Sequence, residues 1–125
     1  MAVEKFTEMA NNIPFQPMGK TYKANVTTSS QTLTITPDGP CNQLCVANHQ
    51  PSGATGQPVY FTLSSNASVT VTAPANASPQ YALVSVPASV KVYTVPYQFS
   101  PSTPLYIAFI GEGASEAYFT PGEGY

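Results

Sequence analysis

The chain has 125 residues, a net charge of −2 and only 8% charged residues, against roughly 25% in ordinary soluble proteins. There is no Arg and no Trp, and between Lys23 and Lys91 the only charged residue is Asp38. That balance excludes a phosphate-neutralising surface, and with it direct nucleic-acid binding; the 42% apolar fraction excludes a disordered chain.

The length suits one domain with its own core. Residues 1–18 stand apart as an extended N-terminal arm, and 19–125 as the body. The arm carries Phe6, Met9, Ile13, Phe15 and Met18, which need a docking surface. A short helical turn is expected around Glu4 to Asn11, ended by "NNIP". The start has no apolar signal-peptide core, and no run reaches membrane-spanning length. Synthesis in the cytosol is therefore expected, with no membrane partner. The Asn-x-Ser/Thr triplets at Asn25, Asn66 and Asn76 follow from a composition rich in those residues.

Thirteen prolines and eight glycines leave little room for helices, and short alternating segments fill the body. "KTYKANVTT" places Tyr22, Ala24 and Val26 on one face. "QTLTITP" puts Leu33 and Ile35 inward and threonines outward. "NQLCVAN" puts Leu44 and Val46 on one face, Cys45 and Ala47 on the other. "PVYFTLS" turns Tyr60 or Phe61 inward, and "ASVTVTA" has a period of two at Val69 and Val71. "PQYALVSVP" offers Tyr81, Leu83 and Val84 to the core. "SVKVYTV" sets Val90, Val92 and Thr94 against Lys91, Tyr93 and Val95. "PLYIAFIG" is apolar throughout, as a central strand would be. "SEAYFTPGEGY" closes the chain. About nine short antiparallel strands predict an all-β fold, a single jelly-roll-like β-sandwich. The proline-rich stretch from Val95 to Pro104 reads as a loop, with Tyr97 and Phe99 as candidate contact residues.

Cys41, Cys45 and His49 recur every four residues and invite a metal or redox reading. In a helix that spacing would bring them within roughly 6 Å. In a strand they share a face, but each step spans roughly 13 Å. A disulfide needs Cα atoms closer than about 7 Å, and zinc ligands must all reach one ion at about 2.0–2.3 Å. Pro40, Pro51 and the Leu44/Val46 alternation favour the strand, so free thiols are expected, and His49 at the strand end. A nucleophilic triad would have only His49 as base. Glu112, Glu116 and Glu123 read as residues near turns on a solvated edge. There is no phosphate loop or dinucleotide fingerprint. The sequence therefore points to a non-enzymatic protein without a cofactor.

The ending "YIAFIGEGASEAYFTPGEGY" resembles that of small accessory structural proteins of tailed double-stranded DNA bacteriophages. Their all-β chains often close with a strand followed by Thr-Pro-Gly-Glu-Gly and one apolar residue, here Thr120 to Tyr125. "NQLCVAN" and "VPASVKVYTVP" are similar to two further segments of that group, so the resemblance spans residues 20–125. It implies a capsid decoration or cement protein on the virion surface, bound between major capsid protein subunits. It also implies a homo-oligomer, dimer or trimer. The cysteines and the Val95–Pro104 stretch stand outside the pattern. The alternatives are a tail or neck component, or a receptor- or carbohydrate-binding module.

Overall fold

The computed structural model describes residues 15–49 and 56–124. They form nine strands: β1 (Gln16–Pro17), β2 (Tyr22–Val26), β3 (Gln31–Ile35), β4 (Cys41–His49), β5 (Val59–Ser64), β6 (Leu83–Ser85), β7 (Ser89–Phe99), β8 (Leu105–Gly111) and β9 (Ser115–Glu123). Residues 1–14, with the expected turn at Glu4–Asn11, lie outside the described residues.

The pairing is nested. β5 pairs with β6; outside that pair, β4 meets β7, β3 meets β8, and β2 meets β9, all antiparallel. The chain is thus one long ribbon folded back on itself and rolled, so that alternate pairs fall into opposite sheets. One sheet runs β2-β9-β4-β7, with β1 also on β9; the other runs β3-β8-β5-β6. This is the jelly-roll form of the β-sandwich. The connections β2–β3, β4–β5, β6–β7 and β8–β9 share one end of it, and β3–β4, β5–β6 and β7–β8 share the opposite end.

Inward side chains of both sheets fill the space between them. Val26, Ile35, Leu44, Val46, Phe61, Ile107 and Phe119 are at most 2% exposed. Phe61 meets Phe119 and Tyr93 edge-on, with ring centroids 6.2 and 5.2 Å apart. Such aromatic pairs add about 0.5–1.5 kcal/mol beyond burial. β8 lies between β3 and β5; its inward face is buried, and on its outer face Ala108 is buried while Tyr106 and Ile110 are half-buried. That explains its unbroken apolar sequence.

Four segments depart from the sequence reading. Val69 and Val71 belong to no strand; they lie in the long β5–β6 connection, where Val71 alone is buried. Alternation there reports which side chain turns inward, not whether the backbone has a neighbour. Pro74 and Pro79 follow, each removing a donor. Tyr81, Leu83 and Val84 are not core residues: they are 97%, 41% and 49% exposed, and β6 buries Ser85 instead. The expected loop from Val95 is strand as far as Phe99. β7 is an edge strand, where Pro96 costs no ladder hydrogen bond. Finally, Glu116 and Glu123 sit in β9, which is an inner strand and not a terminal turn.

β1 also shortens the arm. Gln16 and Pro17 pair with Glu123 and Gly122. The Met18 amide donates to the Pro121 carbonyl at 2.9 Å, and the Asp38 amide donates to the Met18 carbonyl at 2.8 Å. Residues 15–18 are therefore part of the body.

Candidate interaction surface

The Cys-Cys-His stretch is the whole of β4. Its register against β7 shifts between Cys41 and Gln43, where Cys41 faces Phe99 but Gln43 faces Thr94. The shift reverses the parity of the strand. Cys41 turns into the core, 1% exposed, beside Leu44, while Cys45 lies half-buried on the opposite face. The expectation that the two share a face is corrected by this irregularity. Both are free thiols. Burial pushes the Cys41 thiol up to about 11, with smaller contributions from Glu123 and Asp38. Burial also raises Cys45. A thiol held protonated is a poor nucleophile and metal ligand. His49 ends the strand, exposed, edge-on to Tyr118 at 6.3 Å.

A polar node missed in the sequence lies one residue earlier. Asn48, 2% exposed, donates from Nδ2 to the carbonyls of Ser85 (2.8 Å) and Gln57 (2.9 Å). The Ser115 hydroxyl shares its one proton between the Gln57 carbonyl (2.9 Å) and Asn48 Oδ1 (3.2 Å). The Ala88 amide donates to the Asn48 carbonyl at 3.0 Å. Four chain segments at one end of the sandwich are tied by this amide. The signal was available: Asn48 continues the inward series Leu44, Val46. Its full set of partners marks it as structural rather than catalytic.

The seven contact candidates separate. Phe6, Met9 and Ile13 lie outside the described residues. Phe15 is half-buried on the body, its ring occupying the space where a Cβ on Gly122 would stand. Met18 packs against the core. Phe99 is fully buried and presents no surface, because β7 carries it between the sheets. Tyr97 is half-buried; its hydroxyl is enclosed with no partner among the described residues, and burial pushes the phenol up. No protein-family model matches the chain, and no curated protein matches it in sequence.

What the structure leaves exposed instead is apolar. Tyr81, Leu83, Val84, Val86, Val90 and Val92 are all exposed large apolar residues. Val90 and Val92 lie on the outer face of one sheet, opposite Ala47 and Cys45, and Val84 on the outer face of the other, opposite Tyr60; Tyr81 and Leu83 border the open edge between β6 and β7. Beside them runs a groove of about 390 Å³, lined by Phe61, Leu63, Leu83, Tyr93 and Pro96 among others. Lys91 is the only charged residue between Asp38 and Glu112, and its Nζ lies 5.2 Å from the Tyr93 ring centroid. The arrangement offers contact area, not chemistry.

Proposed function

We propose that the protein is a non-enzymatic accessory structural protein of a tailed-bacteriophage virion, a decoration or cement protein bound between major capsid protein subunits. The observation that carries this reading is the set of exposed large apolar side chains between Tyr81 and Val92 on a body almost without charge. Large exposed apolar patches mark association surfaces, and low charge removes the repulsion that keeps free domains apart. The jelly-roll body and the Thr120–Tyr125 ending are in keeping with the resemblance to phage accessory proteins. The arm residues Phe6, Met9 and Ile13 supply a second contact, to the capsid lattice. Many weak contacts on a repeating lattice add through multivalency.

The test is occupancy on purified particles. Deleting residues 2–14 spares β1 and is expected to leave a folded body that no longer decorates heads. Normal occupancy by the truncated protein contradicts the role of the arm. Copy number in purified particles separates the head from the neck or tail. A cement protein scales with the major capsid protein, and a neck protein with a single ring.

A saccharide-binding module is a second reading with one observation in its favour. A groove of about 540 Å³ at the β7–β8 end is lined by Tyr97, Gln98, Ser102, Thr103 and Tyr106, with no charged group. Aromatic rings beside hydroxyls and an amide suit a neutral sugar. Glycan-array binding that is lost on Tyr106→Ala supports this reading; an empty array removes it.

A further inference from the structure

We propose that the outer face of the β2-β9-β4-β7 sheet is the seat of the chain's own N-terminal segment, with Phe6, Met9 and Ile13 laid over Cys45, Ala47 and Tyr118. Nothing in this rests on the virion reading. If that reading holds, an arm seated on its own body is withheld from the capsid until the lattice competes for it.

The pairings define the face row by row. Tyr118 lies opposite Ala47, and Ala47 opposite Val90. One row on, Thr120 lies opposite Cys45, and Cys45 opposite Val92. In the next row Gly122 lies opposite Gln43, and Gln43 opposite Thr94. The two inner strands thus carry small side chains at Ala47, Cys45, Thr120 and Gly122, between Tyr118 and the two valines. The result is a shallow trough along β4, with Val90 at its rim 71% exposed.

The chain already enters this trough. Gly122 faces outward, in the alternation that turns Phe119 and Pro121 inward. The Phe15 ring occupies the space where a Cβ on Gly122 would stand. Phe15 is therefore seated on the outer face, in the row of Gln43, and residues 1–14 start from there. A segment tethered at the mouth of a site has a high effective concentration for it, so modest apolar contact suffices to seat it. A separate partner has no such tether.

The length and pattern of the segment fit the trough. Phe6, Met9 and Ile13 are three and four residues apart, which places them on one face of the helical turn expected around Glu4 to Asn11. Eight helical residues extend roughly 12 Å. The four residues of β9 from Gly122 back to Tyr118 extend roughly 14 Å. β1 runs antiparallel to β9, with Gln16 opposite Glu123, so the chain before Phe15 leaves past the end of β9. It must double back to reach the face, and Asn11, Asn12 and Pro14 are turn residues at that place.

Charge follows the same order. Residues 9–15 carry none, and the rows of Gly122 and Thr120 carry none. Glu4, Lys5 and Glu8 stand further back along the arm. Lys23, Glu116 and His49 stand at the far end of the face. The neutral part of the arm thus falls on neutral rows, and its charged part arrives where the face is charged.

Cys45 lies on the floor of the trough, and Cys41, 1% exposed in the core, is an internal control. The test is the rate at which iodoacetamide alkylates each thiol in the native full-length chain, read by fragmentation mass spectrometry. The wild type is expected to protect Cys45. The double variant F6S/I13S should speed its alkylation by at least about tenfold while Cys41 is unchanged. Deletion of residues 2–14 should match the double variant, and all three proteins should share one circular dichroism spectrum in the strand region. Protection should not depend on protein concentration from micromolar to near-millimolar. Equal Cys45 rates in the wild type and both variants overturn the proposal. Protection that appears only at high concentration does so too, and assigns the face to a second copy. Occupancy on heads is read separately: a truncated chain that decorates normally sinks the arm's role on the capsid and leaves its seat on the sheet intact.

Discussion

The two long sides of the sandwich are built from similar sequence and meet opposite fates. "KTYKANV" on the β2 side and "SVKVYTV" on the β7 side each alternate Val and Tyr around a lysine. On the β2 side Ala24 and Val26 are buried, and the Tyr22 hydroxyl donates to the Thr36 carbonyl while accepting from the Thr36 amide. Lys23 reaches Glu116 across the strand pair at 2.6 Å, and β1 extends the same edge. On the β7 side the inward Val95 is likewise buried, but Val90, on the outer face opposite Ala47, is 71% exposed, and Lys91 has only an aromatic ring for company. Period-two alternation decides which residues share a face. Whether that face or edge is covered depends on neighbours that arrive from elsewhere in the chain.

Substitutions can press on this contrast, and the largest effect should come from the shared core. Phe61→Ala removes a ring that touches Tyr93 and Phe119, and should cost about 3–5 kcal/mol in urea unfolding. Tyr81→Ala, at the far end of the connection that leaves the same strand, should cost the monomer almost nothing. Equal losses would mean that Tyr81 is covered within the chain.

Next in size is the polar node. Asn48→Ala strands the Ser85 carbonyl and should cost about 1–3 kcal/mol. Asn48→Asp keeps the shape but not the two donors, and should not rescue it. Gly122→Ala belongs to the same range, about 1–3 kcal/mol, because its methyl meets the Phe15 ring and the Gln16 carbonyl. Unchanged stability in Gly122→Ala would show that β1 is easily displaced, returning Phe15 to the arm.

A smaller effect concerns pH. The folded-state pKa of Cys41 is raised to about 11, mainly by burial, so the folded state holds its proton after the unfolded chain releases it near about 8.5. The contribution is complete below that unfolded value and is lost as pH rises toward 11. Cys41→Ala should flatten the decline in unfolding midpoint over this interval relative to wild type. A parallel decline in both proteins contradicts the placement of Cys41 in the core. Smallest of all is the Lys23–Glu116 pair. Both groups are solvated, and Lys23→Gln should hardly move the midpoint, with any change vanishing in salt.

Much of the body was legible because burial and period agree there. Tyr22–Val26, Leu33/Ile35 and Leu44/Val46 follow from alternation, and β8 from its unbroken apolar run. The errors cluster where the two separate. Val71 is buried without being in a strand, and Leu83 is in a strand without being buried. Prolines misled in one direction: Pro96 and Pro121 suggested loop and tail, yet an edge strand and a strand end tolerate them. The parity change at Cys41 arises from a register shift against β7, information held in the pairing of two distant segments. The exposed apolar residues have the composition of a core, but pairing turns Val84 to the outer face of one sheet and Val90 and Val92 to the outer face of the other.

A reconstruction of the purified virion tests the central claim most directly. The account expects jelly-roll density over junctions between major capsid subunits. Density confined to the neck or tail would contradict it.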